Sequence, residues 1–171
     1  MTYKEIDGDL IQLALTTNMF DVIGHGVNCF CRMKRGIAPQ MDKVFGCGNG
    51  ELYTLEHFTT QGDVNKLGQA QGYPFFNLGG RSKILVVYNL YTQYHWNTPN
   101  EEYKIPLDYD AVRMCFRKLN HKHKGQTIGL PKIGCGLAGG DWITVKMIMF
   151  QELKDCDVIV VNYKPDTEIK D

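Results

Sequence analysis

Two hydrophobic periods alternate along this chain of 171 residues, and that alternation constrains the fold more than any other feature. Four stretches are nearly continuous apolar runs: FDVIGHGVN at 20–28, KILVVYNLYTQ at 83–93, QTIGLPKI at 126–133 and DVIVVNY at 157–163. Runs of this length and content predict strands buried on both faces. Between them lie segments with helical spacing. In GIAPQMDKVFG at 36–46, Ile37, Met41, Val44 and Phe45 share one face, Pro39 falls in the first turn and Gly46 is a natural stop. A second helix is expected from Leu107 to His121, with Val112, Cys115, Phe116 and Leu119 in register, and a third in DWITVKMIMFQELKD at 141–155. At the start, TYKEI at 2–6 reads as a short strand, and LIQLAL at 10–15 has helical spacing. Strands alternating with helices predict an α/β layered domain with a largely parallel sheet covered on both sides. Residues 46–82 break the pattern with glycines, polar residues and scattered aromatics, and predict a long excursion containing a hairpin. KPDTEIKD at 164–171 reads as a polar tail. No repeat or composition shift marks a boundary, so one domain is expected over 1–171.

Composition excludes several classes of function. The formal net charge is zero, which argues against a general polyanion-binding surface and leaves only local basic patches, RMKR at 32–35 and HKHK at 121–124. Both read as solvated loop or helix ends. No run approaches the roughly 20 apolar residues of a membrane span. MTYKEIDGDL lacks the apolar region of a signal peptide, so the expected location is the cytoplasm of the cell or of an infected host. The six cysteines are then reduced thiols; Cys29 and Cys31 are the only close pair, and without two CxxC pairs a structural zinc site has weak support. Nothing in the chain requires a metal or a cofactor.

In parallel sheets ligands bind beyond the carboxyl ends of the strands, so the segments at 24–36, 89–98 and 134–141 are expected to converge on one crevice. The most specific of them is Gly134-Cys135-Gly136-Leu137-Ala138-Gly139, a G-x-G-x-x-G match between a predicted strand and a predicted helix. Glycines there let backbone N–H groups approach phosphate oxygens, with the helix dipole adding attraction. A tight turn without a ligand is the plainer reading. A dinucleotide site fits poorly, because the motif belongs in the first βαβ unit. Here one strand remains, and Asp166 is a weak stand-in for the ribose-binding acid. No GK[ST] follows for a P-loop. Cys29 and Arg35 have the spacing of a cysteine phosphatase loop, but the FCRMKR after the cysteine lacks the glycine such a cradle needs.

Taken in order, GDL at 8–10, HGVNCFCRMKRGIA at 25–38, YNLYTQY at 88–94 and LPKIGCGLAGGDW at 130–142 resemble the macrodomain family of ADP-ribose-binding modules. The resemblance covers nearly the whole chain and is strongest to phage and yeast-type ADP-ribose-1″-phosphate phosphatases. It implies a three-layer α/β/α sandwich with a mixed, mostly parallel central sheet. It also implies ADP-ribose or ADP-ribose-1″-phosphate as ligand, with ADP-ribosylated macromolecules or a non-catalytic reader role as alternatives. By the same resemblance Asp9 takes the adenine amino group, with Leu10 beside it. Asn28 holds the distal ribose. Gly36, Ile37 and Ala38 form the first loop, and Gly134, Cys135, Gly136, Leu137, Ala138 and Gly139 form the diphosphate loop. A residue near Tyr91 to Tyr94 flanks the ligand. The chain departs from the family at Lys34 and Arg35, which replace small residues and either narrow the site or offer positive charge to a terminal phosphate. It departs again at VVYNLYTQ and Ala138, where the glycohydrolase class carries a lysine and an aspartate. The candidates left for catalysis are His25, Asn28 and Asp141. His25 exchanges protons near neutral pH or is a satisfied strand-end histidine. Asp141 acts on a water or caps the following helix.

Overall fold

The computed structural model describes residues 1–48, 52–53, 58–59, 61–76, 82–97 and 105–164. The strands are β1 (Tyr3–Gly8), β2 (Val22–Asn28), β3 (Leu52–Tyr53), β4 (Phe58–Thr59), β5 (Ala70–Phe75), β6 (Leu85–Gln93), β7 (Thr127–Leu130) and β8 (Asp157–Tyr163). The helices are α1 (Leu10–Thr16), α2 (Ala38–Phe45), α3 (Tyr109–Lys122) and α4 (Trp142–Glu152). Six strands form one sheet in the order β1-β8-β7-β2-β6-β5. Every pairing is parallel except β5 against β6.

Side-chain alternation divides the core into two layers. On one face Val22, Leu90, Ile128, Leu130, Val158 and Val160 pack with Val112, Phe116 and Leu119 of α3 and Val145, Ile148 and Met149 of α4. On the other, Ile23, Leu85, Val87 and Val161 pack with Leu10, Ile11 and Ala14 of α1 and Met41 of α2. The result is the expected α/β/α sandwich with a mixed, mostly parallel sheet. Among the described residues no helix is long and apolar enough to cross a membrane.

The differences from the sequence-based expectations have local causes. The helix expected from Leu107 starts at Tyr109, because the Asp108 carboxylate accepts the Ala111 N–H at 2.9 Å and sets the cap. Leu107 instead pairs with Gln93 as an isolated bridge. β7 stops at Leu130, ahead of Pro131, which has no N–H to donate. Within 46–82 the hairpin is the short β3–β4 pair. β5 is a strand that hydrophobic period did not reveal, since AQGYPF carries a glycine, a proline and a glutamine. Asp166 and all of the polar tail after Lys164 lie outside the described residues.

Candidate functional site

The carboxyl ends of β1, β8, β7, β2 and β6 open into one cleft of about 1060 Å³. The three segments expected to converge there all reach it: Gly26 to Asn28 with Arg32 to Ala38, then Thr92 with Trp96, then Gly134 to Ala138.

One end is built by Asp9, which follows β1 in an extended conformation (φ −109°, ψ 113°). Its Oδ1 accepts the N–H groups of Ile11 at 2.8 Å and Gln12 at 3.1 Å, so the residue caps α1 while lining the cleft. Leu10 is buried beside it and also lines the cleft. Asp7 accepts from Lys164 Nζ at 2.6 Å, and that hydrogen bond holds its carboxyl below the usual range. Asn162 and Tyr163, at the end of β8, complete this end.

The opposite wall starts at Asn28, where β2 ends. Its Oδ1 accepts the N–H groups of Phe30 and Arg32, both at 3.1 Å, and its Nδ2 donates to the Arg32 carbonyl at 3.2 Å. One amide side chain thereby fixes the turn that launches Arg32 to Ala38 along the cleft. Arg32, Lys34 and Arg35 are exposed and line it. Pro39 sits in the first turn of α2, as its missing N–H allows.

The glycine loop forms the third wall. Gly134 has φ +71°, and a Cβ there would lie 2.4 Å from Leu107 Cδ1, so the position requires glycine on both counts. The Gly140 N–H closes the loop on the Gly134 carbonyl at 2.8 Å, and the Gly139 N–H closes it on the Gly136 carbonyl at 3.0 Å. Among the described residues, the N–H groups of Gly136, Leu137 and Ala138 have no acceptor in the protein. Three successive unpaired amides in a loop that lines the cleft form a concavity suited to an anion.

Of the residues singled out in the sequence, Asp9, Leu10, Asn28, Arg35, Gly36, Ile37, Ala38, Gly134, Cys135, Gly136, Leu137 and Ala138 line this one cleft. Gly139 does not; it packs over Ile105 and closes the turn from beneath. His25 is a correction. The two-residue alternation of β2 turns it away from the cleft, into the layer of α1 and α2, where it is fully buried. Its Nε2 bonds Asn89 Oδ1 at 2.8 Å, and Asn89 Nδ2 donates to the Cys47 carbonyl at 2.6 Å. Burial lowers its pKa to about 4, so it is a neutral packing histidine. Asp141 is also corrected. Its Oδ2 accepts from Thr144 N at 2.8 Å and Thr144 Oγ1 at 2.7 Å, outside the cleft lining. Those bonds lower its pKa and make it the cap of α4.

Near Tyr91 to Tyr94, Tyr91 is buried and donates to Gln71 Oε1 at 2.7 Å, while Thr92, Gln93 and Trp96 line the cleft. Cys29 is buried, and burial pushes its thiol up to about 12, which removes it as a nucleophile. Among the described residues no cluster of three His, Cys, Asp or Glu side chains could hold a metal. Sequence reasoning passed over Arg32, Trp96, Lys132 and Tyr163. RMKR carried a usable signal, since three cations closely following a strand end fall where ligands bind.

A family model described as Macro domain matches residues 25–149. A protein of Enterobacteria phage T4, described as an uncharacterized 17.5 kDa protein in the tk-vs intergenic region, is 30% identical over 170 residues, covering 96% of this chain and 99% of the phage protein. A crystal structure from Bacteroides thetaiotaomicron superposes with a TM-score of 0.71 at 25% identity, over 94% of this chain and 99% of that one. The macrodomain of Thermus aquaticus DarG gives a TM-score of 0.59 at 19% identity, over 96% and 99%. A Trypanosoma brucei macrodomain solved with ADP-ribose gives 0.58 at 14% identity, over 98% of this chain and 66% of that one. The family model spans well over half of the chain and the phage relative matches nearly end to end; the chain belongs to the macrodomain family.

Proposed function

We propose that the cleft binds ADP-ribose and that the protein hydrolyses ADP-ribose-1″-phosphate to ADP-ribose and inorganic phosphate. The carrying observation is the run of three unpaired amides, Gly136 to Ala138, facing the cationic Arg32 to Ala38 wall across one cleft. Adenine sits at the Asp9 end and the diphosphate lies on the amides. The distal ribose rests by Asn28, its 1″ oxygen toward Arg32, Lys34 and Arg35. Asp9 Oδ1 is committed to the cap, which leaves Oδ2 for the adenine amino group. A Trypanosoma brucei macrodomain and a Thermosipho africanus DarTG protein of similar fold were solved with ADP-ribose, which supports the same ligand here.

In the reaction a water adds to phosphorus and the P–O1″ bond breaks. One water proton ends on O1″ and the other remains on phosphate. Among the described residues, the carboxylates lining the cleft are Asp7 and Asp9, at its adenine end, and Asp42 lines only the smaller pocket beyond Arg32 and Trp96. The protein's contribution is therefore position and positive charge on the phosphoryl oxygens. Calorimetry with ADP-ribose tests binding, and phosphate release from ADP-ribose-1″-phosphate tests turnover. Binding without release above the uncatalysed rate would sink the phosphatase reading.

One observation favours a second reading, removal of ADP-ribose from a macromolecule. Beyond Arg32 and Trp96 lies a smaller pocket of about 430 Å³, lined also by Phe30, Asp42 and Gln61, with room for a larger group on C1″. Release of ADP-ribose from ADP-ribosylated protein or nucleic acid, with no phosphate release from the small substrate, would favour it.

A further inference from the structure

Arg32 stands out from the neighbouring cations because it is held at both ends. Its backbone is clamped by one side chain, Asn28, whose Oδ1 takes the Arg32 N–H at 3.1 Å and whose Nδ2 gives to the Arg32 carbonyl at 3.2 Å. Its guanidinium lies 4.2 Å from the centroid of the Trp96 ring. Trp96 is fixed in turn: it stacks on His95 at 3.7 Å, and Phe30 meets it edge-on at 5.5 Å. Among the described residues, Lys34 and Arg35 have no such aromatic partner or backbone clamp. Arg32, Met33, Lys34 and Trp96 line both the main cleft and the smaller pocket beyond it, so they stand at the boundary where a group on C1″ must lie, and of the two cations there Arg32 is the one that is clamped and stacked.

We infer that Arg32, held by Asn28 and stacked on Trp96, is the specificity-determining clamp for a phosphate on C1″. This rests on the ADP-ribose reading of the cleft. A guanidinium presents parallel N–H donors matched to two phosphate oxygens, and an arginine already ordered by stacking loses little freedom on binding. The same residue holds ligand and fold together: Asn28, which borders the distal ribose, sets where the Arg32 backbone stands. A flexible surface cation offers only screened attraction.

The test compares affinities for ADP-ribose-1″-phosphate and ADP-ribose by displacement of a fluorescent ADP-ribose, read in a stopped flow before turnover. The native protein is expected to prefer the phosphorylated ligand by at least about 10-fold, the scale of one bidentate charged pair. Arg32→Gln should remove that preference; any cost in affinity for ADP-ribose, whose diphosphate shares the cleft with this cation, is divided out, because the readout is the ratio of the two affinities, which falls to about 1. Arg32→Lys keeps charge but loses the fork, and should recover only part of it. Trp96→Leu leaves the charge and frees the guanidinium, and should reduce the preference by about 3-fold. Lys34→Gln and Arg35→Gln should cost less than about 3-fold, an effect that fades in high salt. The inference is overturned if Arg32→Gln keeps the preference, if Arg32→Lys or Trp96→Leu matches the native protein, or if the native protein binds both ligands equally. No binding of ADP-ribose by the native protein would overturn the reading beneath it instead.

Discussion

Two glycines of one loop have opposite roles. At Gly136 a Cβ meets nothing within 4 Å, so the fold accepts a side chain there, on the wall where the diphosphate is expected. Gly136→Glu should lower ADP-ribose affinity by more than about 10-fold in calorimetry, through repulsion and lost space, with the melting temperature almost unchanged. At Gly134 the left-handed backbone and the 2.4 Å approach to Leu107 make any side chain a structural lesion. Gly134→Val should cost more than about 2 kcal/mol in urea unfolding. Both glycines are legible in the sequence as members of one motif. Their division of labour is not, because it depends on Leu107, a residue 27 positions away in the chain that enters through the bridge to Gln93.

At the scale of elements, α1 and α4 both begin with an aspartate whose carboxylate accepts first-turn N–H groups. The capping chemistry was visible in GDL and GGDW. What separates the two is the sheet. α1 follows β1, whose carboxyl end opens directly on the cleft, and Asp9 lines it. α4 follows β7 only after the whole glycine loop, which carries Asp141 past the rim. Asp9→Ala and Asp141→Ala should therefore cost a similar ~1 kcal/mol of stability. Only Asp9→Ala should weaken ADP-ribose binding in calorimetry, by about 10- to 150-fold for a hydrogen bond to a charged group. An equal loss of affinity from Asp141→Ala would return it to the site.

At the scale of the whole molecule, the His25–Asn89–Cys47 cluster ties β2 and β6 to the segment after α2. Burial holds the His25 pKa at about 4 in the fold, below its ordinary 6.5. The unfolded chain then binds more protons between these values, so stability is full above pH 6.5 and falls as pH drops toward 4. The loss integrates to about 3 kcal/mol. Urea midpoints should decline across that window in the native protein, and His25→Gln should flatten the decline. A decline of equal depth in the variant would mean that the histidine is not responsible. Lowered carboxylates such as Glu5, at about 2, act in the same direction but only as pH falls below their ordinary 4.5. Bound ligand adds to stability independently: at 100 times its Kd, ADP-ribose should stabilise the fold by about 2.7 kcal/mol.

Periodicity in the amino-acid sequence was enough to determine the α/β class, the four helices and the apolar strands, and the glycine spacing was enough to mark the loop, because each is set by residues close together in the chain. The motifs carried the family and most of the cleft lining for the same reason. Only the tertiary structure decided which way His25 points, which aspartate lines the cleft, that β5 completes the sheet antiparallel, and that Arg32 meets Trp96. These depend on contacts between distant segments: strand alternation within a fixed sheet order, the bridge from Gln93 to Leu107, and a turn held by Asn28 that brings residue 32 to residue 96. Local sequence chooses the elements, while the direction a side chain faces is chosen by what the assembled layers leave open.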